Sequence, residues 1–161
     1  MNDSVITKEG LMRLSAELER LSTVGRRSIA ERLQRAAATA ANQAENADWL
    51  EARTEQALLE RRIAVLRERL RAADLVEPRL GNGLVDVGER VRVLDVASGD
   101  RLDLELVGPF EADASLGRVS VASPLGRAIV GLRRGQVADV DAPRGTRQFK
   151  VLAVEPPAPA A

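Results

Sequence analysis

Glu45 and Asp48 place two carboxylates one helical turn apart within the polar stretch Ala41-Asn42-Gln43-Ala44-Glu45-Asn46-Ala47-Asp48-Trp49. Carboxylate oxygens are the hard ligands that a cation such as Mg²⁺ takes. A polar tip between two helices can carry such groups deep into the active site of another molecule. Asn42, three residues before Glu45, offers an uncharged amide where a further acid would add a ligand. The chain has no Cys and no His, which excludes thiolate and imidazole metal sites, zinc deaminase chemistry, Cys or His catalysis and disulfides.

The segments flanking this tip carry the helical period that must position it. Leu11, Leu14, Leu18 and Leu21 recur at spacings of three and four, with Thr7 as N-cap and Glu9 suited to the positive end of the helix dipole. After Gly25 the stripe resumes as Ile29, Leu33, Ala36 and Ala40, shifted by one residue, so a local rewinding or bend is expected there. Beyond the tip, Trp49, Ala52, Gln56, Leu59, Ile63, Leu66, Leu70 and Ala73 form a regular seam of the coiled-coil type. Two such helices joined by a short polar loop pack antiparallel, each burying a stripe that neither could bury alone.

Past Glu77-Pro78 and Gly81-Asn82-Gly83 the period becomes two. Arg90 to Val93 and Leu102 to Leu106 form a hairpin around Ser98-Gly99-Asp100, Val119-Ser120-Val121 is a further strand, and Val137 to Val140 and Phe149 to Val154 flank the Pro143-Arg144-Gly145 turn. Ser123 and Pro124 read as N-cap and first residue of a short helix that Gly131 ends. The class is therefore α+β: residues 1–76 as a helical hairpin, 77–86 as linker, 87–155 as a sheet domain, and 156–161 as a disordered, proline-rich tail. The 161 residues suffice for a core in each half. With 24 basic and 24 acidic side chains, no global field draws the chain to nucleic acid or membrane, so partners are found by local shape and charge. MNDSVITKEG has no apolar core for secretion and no later run could span a bilayer, so a cytoplasmic location is expected.

The opening Ile6-Thr7-Lys8-Glu9-Gly10 with Leu14, Glu17 and Leu18 resembles the start of the Gre family of bacterial transcript-cleavage and elongation factors. The stretch Glu45-Asn46-Ala47-Asp48-Trp49, continued by Ala52-Arg53, Glu55-Gln56 and Arg62-Ile63, is similar to that family's Glu-Asn-Ala-Glu-Tyr tip. Val107-Gly108, Glu111-Ala112-Asp113, Ser120-Val121 and Ser123 through Gly131 resemble its C-terminal domain. The resemblance runs from Ile6 to about Glu155. It implies a coiled-coil hairpin followed by an FKBP-like antiparallel sheet domain with a short helix. It further implies that the C-terminal domain docks at the rim of the RNA polymerase secondary channel, with Ser123 and Pro124 as a contact, while the hairpin enters the channel. The tip acids then help to hold the polymerase's second Mg²⁺ so that the polymerase hydrolyses its own backtracked RNA. The chain would be no enzyme, would need no cofactor of its own, would meet nucleic acid only through the polymerase, and would act as a monomer.

Measured against the family's usual Gly-Asp-Leu-Ser-Glu-Asn tip, Glu45 matches the second acid and Asn42 replaces the first, so Glu45 is the one metal ligand carried over, and only in complex with polymerase. Asp48 falls at an acidic position the family already has and is not a relocated copy. The expected function is a polymerase-binding regulator that occupies the channel and inhibits, with little or no cleavage. One rival is a working cleavage factor in which Glu45 suffices; another is a structural coiled-coil protein. The ordinary readings stand beside these: two acids near a helix start complement its dipole, and Arg26, Arg27, Arg32 and Arg35, candidate contacts to RNA or polymerase, also fit a solvated helix face. Trp49 is read as an anchor closing the hairpin end, since two Phe elsewhere are too few for base stacking. The same scarcity of aromatics argues against prolyl isomerase activity.

Overall fold

The computed structural model describes residues 4–39, 43–77, 79, 81–143 and 145–157, with side chains throughout except at 39 and 43–46. Ala41, Asn42, Arg144 and the end of the expected tail lie outside the described residues. The chain packs as two compact units that divide differently from the expected hairpin of 1–76. One is Met12–Ala72, and the other joins the segment up to Leu11 with the chain from Ala73 onward.

The hairpin unit holds most of α1 (Lys8–Arg20), a π-helical turn over Leu21–Gly25, α2 (Arg26–Thr39) and α3 (Gln43–Ala72). Arg62 reaches Glu17, Arg26 reaches Glu60 and Arg32 reaches Glu51, so numbers rise on one side as they fall on the other and the helices run antiparallel. The seam lies where the period places it: Leu14, Ala36, Ala52, Ile63 and Leu66 are buried. Fully burying Ile63 and Leu66 contributes on the order of 2 kcal/mol each. The expected rewinding is the π turn, in which the Arg26 N–H reaches back five residues to the Leu21 carbonyl. Gly25, its last residue, leaves room for α3: a Cβ there would stand 3.2 Å from Leu59 Cδ1. At 30 residues, α3 is about 45 Å long.

In the sheet unit β1 (Val5–Ile6) pairs in parallel with β2 (Asp74–Leu75), which explains why the chain's first residues leave the hairpin unit. A five-stranded sheet follows in the order β5-β4-β3-β7-β6, built from β3 (Arg90–Asp95), β4 (Arg101–Val107), β5 (Arg118–Ser120), β6 (Val137–Ala142) and β7 (Gly145–Glu155). The expected antiparallel sheet is mixed, because the 3₁₀ turns Pro109–Glu111 and Ala114–Leu116 carry the chain back so that β5 lies parallel to β4. Val91, Val93, Leu106, Phe149 and Val151 face a core closed by Ile129 of α4 (Pro124–Ile129), Val121 and Val85–Val87.

Candidate functional site

At the tip, Gln43 to Trp49 form the first two turns of α3, so Glu45 and Asp48 are placed on the N-terminal end of a helix, where the dipole favours negative charge. Asp48 is exposed and shares a cleft of about 300 Å³ with Arg32, Arg35 and Ala36 of α2. Trp49 remains 38% exposed with the Arg53 guanidinium 5.6 Å from its ring centre, a cation–π contact on one helix rather than a buried anchor. The contact that the described residues show for Trp49 is therefore this one with Arg53, on its own helix.

The four candidate arginines differ in availability. Arg26 forks onto Glu60 with bonds of 2.8 and 2.7 Å, and this partner raises the guanidinium above its ordinary pKa while drawing the Glu60 carboxyl below its own. Arg32 bridges Glu55 and Glu51 at 2.5 and 2.9 Å, Glu55 being the stronger influence raising its pKa. Both serve the hairpin first. Arg27 is exposed, and Arg35 lines the cleft beside Asp48.

The second candidate lies on the other unit. Ser123 Oγ accepts from the Gly126 N–H at 3.0 Å and donates to the Ser120 carbonyl at 2.7 Å, and Pro124 follows with no N–H to satisfy. Gly126 lets the helix sit on the strand end: a Cβ would fall 2.1 Å from the Ser120 carbonyl oxygen. The Ser123-Pro124 corner is consequently a rigid, partly exposed knuckle.

Sequence reasoning missed the buried carboxylates. Glu111 accepts from the Thr7 N–H at 2.8 Å, the Thr7 hydroxyl at 2.5 Å and the Gly108 N–H at 3.1 Å, while Thr7 Oγ1 also caps α1 by accepting from Gly10 N–H at 3.0 Å. Gly10 is needed because a Cβ would overlap Glu111 Oε1, 2.0 Å away. The only signal was the co-occurrence of Thr7, Gly10, Gly108 and Glu111 in the quoted motifs. Among the described residues no group of three or more acids is placed to hold a metal ion.

No helix among the described residues is long and apolar enough to cross a membrane. Residues 4–75 match the family model described as transcription elongation factor, N-terminal, and residues 80–156 the one described as transcription elongation factor, GreA/GreB, C-term. The chain is 38% identical over 151 residues to the transcription elongation factor GreA of Acetivibrio thermocellus, covering 93% of this chain and 94% of that one. It is 37% identical over 152 residues to the protein of the same name from Syntrophomonas wolfei, covering 94% and 95%. Among solved structures it is similar to the GreA factor homolog 1 (Gfh1) protein of Thermus thermophilus, with 32% identity, coverage of 94% and 97%, and a TM-score of 0.42. With both halves matched and the relatives aligned almost end to end, the chain belongs to the GreA/GreB family of transcription elongation factors.

Proposed function

We propose that this protein binds core RNA polymerase in the cytoplasm, inserts its hairpin into the secondary channel, and inhibits transcription with little or no stimulation of RNA cleavage. The observation that carries this reading is the tip sequence: Asn42 and Glu45 supply one charged oxygen ligand at the two positions where the family's usual tip carries two acids. A hairpin arm about 45 Å long supports the insertion, since it is stiffened by the α3 seam and by cross-helix ion pairs. The Ser123-Pro124 knuckle is the proposed contact at the channel rim. Occupying the channel obstructs nucleotide entry whether or not the tip activates water. The protein then contributes shape and a single carboxylate, and any bond-breaking belongs to the polymerase.

Cleavage assays on stalled elongation complexes test this directly. Little release of short RNA is expected together with slowed nucleotide addition, and rapid dinucleotide release would overturn the reading. Asn42→Asp restores a second acid and is expected to raise cleavage by about tenfold or more, since each ~1.4 kcal/mol of barrier is a tenfold rate. A second reading, an active cleavage and elongation factor in which Glu45 suffices, is favoured by the names of relatives that align over 93% of the chain. It predicts strong cleavage by the unaltered protein and its loss in Glu45→Gln.

A further inference from the structure

The five-stranded sheet has one face on the core and one open to solvent. On the open face β4, β3, β7 and β6 present Arg101, Leu94, Lys150 and Val137 in one cross-strand row, fixed by the pairings Leu94 with Arg101, Leu94 with Lys150, and Val137 with Lys150. Strands lie about 4.8 Å apart, so Arg101 and Lys150 stand about 10 Å from each other across β3. A groove of about 510 Å³ runs along this face, lined by Arg92, Arg101, Arg134, Lys150, Leu152 and Ala153, with no acidic residue in its walls. Arg92 is neutralised by Asp103 at 2.7 Å. Arg101, Arg134 and Lys150 are exposed and have no carboxylate partner among the described residues. In a chain with 24 basic and 24 acidic side chains, three uncompensated cations around one groove are a local excess of positive charge.

The floor is apolar for a structural reason. The register slips between Arg92 and Val93, which face Ala153 and Val151, so Leu152 is the extra residue of a bulge. Leu152 and Ala153 are half-buried there, and Val137 is exposed at the end of the row. Single-stranded nucleic acid is held by stacking on aromatic side chains within a basic track; this groove has the cations without the aromatics, since Phe149 is buried in the core and Phe110 lies outside the groove. A cationic rim around an aliphatic floor instead complements carboxylates flanking an aliphatic side chain. We infer that this groove docks an acidic, amphipathic segment of a protein partner, whose carboxylates meet Arg101, Arg134 and Lys150 while an aliphatic residue rests on Leu152 and Ala153. This surface is separate from the hairpin tip and from the Ser123-Pro124 knuckle.

Fluorescence anisotropy on the full chain tests it, with three labelled probes: a short Glu-rich peptide carrying Leu at every fourth position, the same peptide with Lys in place of Glu, and a single-stranded RNA of similar length. The acidic peptide is expected to bind saturably and more tightly than the other two, and Arg101→Glu with Lys150→Glu to weaken it about tenfold or more. Arg134→Glu, which lies outside the strands, should weaken it as well and serves if the double variant loses its fold by circular dichroism. Tighter binding of the RNA with the same sensitivity would make the groove a nucleic-acid track. Absence of saturable peptide binding, or binding unchanged in the folded variants, would remove the inference. Neither result touches the hairpin reading, which the cleavage assay decides separately.

Discussion

In the hairpin unit Glu17, Glu51, Glu55 and Glu60 stay at the surface and meet arginines of the opposing helix, whereas in the sheet unit Glu89, Asp95 and Glu111 are buried and held largely by backbone N–H groups. Exposed pairs cost little to break, because water replaces the partner. A buried carboxylate leaves several donors stranded when it is removed, so it dictates the path of the loops that bind it. The difference teaches that the arm can tolerate changes in its charge pattern, while the unit at its base is fixed by a few polar knots.

Glu111→Ala attacks the strongest of these knots and is expected to cost about 3 kcal/mol in urea unfolding, because the Thr7 and Gly108 N–H groups lose their acceptor. A loss no larger than that of Glu60→Ala would erase the contrast between the units. Ser123→Ala, removing the α4 cap, is expected to cost about 1 kcal/mol by the same measurement.

Acid sharpens the comparison further. Burial acts to raise the Asp95 carboxyl pKa, but the Ala97 N–H and the Arg147 guanidinium outweigh it and leave the group below its ordinary value. Glu60 is lowered mainly by its hydrogen bonds from Arg26. A carboxyl lowered on folding adds stability above its unfolded pKa, about 3.9 for Asp and 4.3 for Glu, and that stability is lost as pH falls through the folded value. Unfolding followed from pH 6 downward, at low and high salt, should therefore show a loss in acid for both, with the Glu60 part fading in salt and the Asp95 part persisting. An Asp95→Asn variant whose acid profile matches the parent would contradict the assignment. The smallest effect is expected from Arg26→Ala, a shift of the thermal midpoint by no more than a degree or two that disappears at high salt.

The middle of the α3 seam was legible, because a heptad pattern both requires and names the buried face, and Ala52, Ile63 and Leu66 lie buried on it while Trp49 at its start stays partly exposed. The Ser123 cap was legible for a local reason: its partner Gly126 is three residues away. The Glu111 knot was not, since it joins residues 104 apart in the chain and nothing in a carboxylate's immediate neighbours tells burial from exposure. The parallel placement of β5 escaped for a similar reason, as two short 3₁₀ turns leave no period to read. At the tip, the residue types were readable but Asn42 lies outside the described residues, and the side chain of Glu45 does too.

The π turn at Leu21–Gly25 has a consequence for aim. One residue more than an α-helical turn needs is accommodated there, and each residue of an α-helix advances the side chains by about 100° around the axis. The side chains of α2 thus take their phase from this one loop of backbone. Deleting a single residue from it would rotate them by about 100° and swing Arg26 away from Glu60 and Arg32 away from Glu51 and Glu55, so the choice of ionic partners across the arm is made in these five residues.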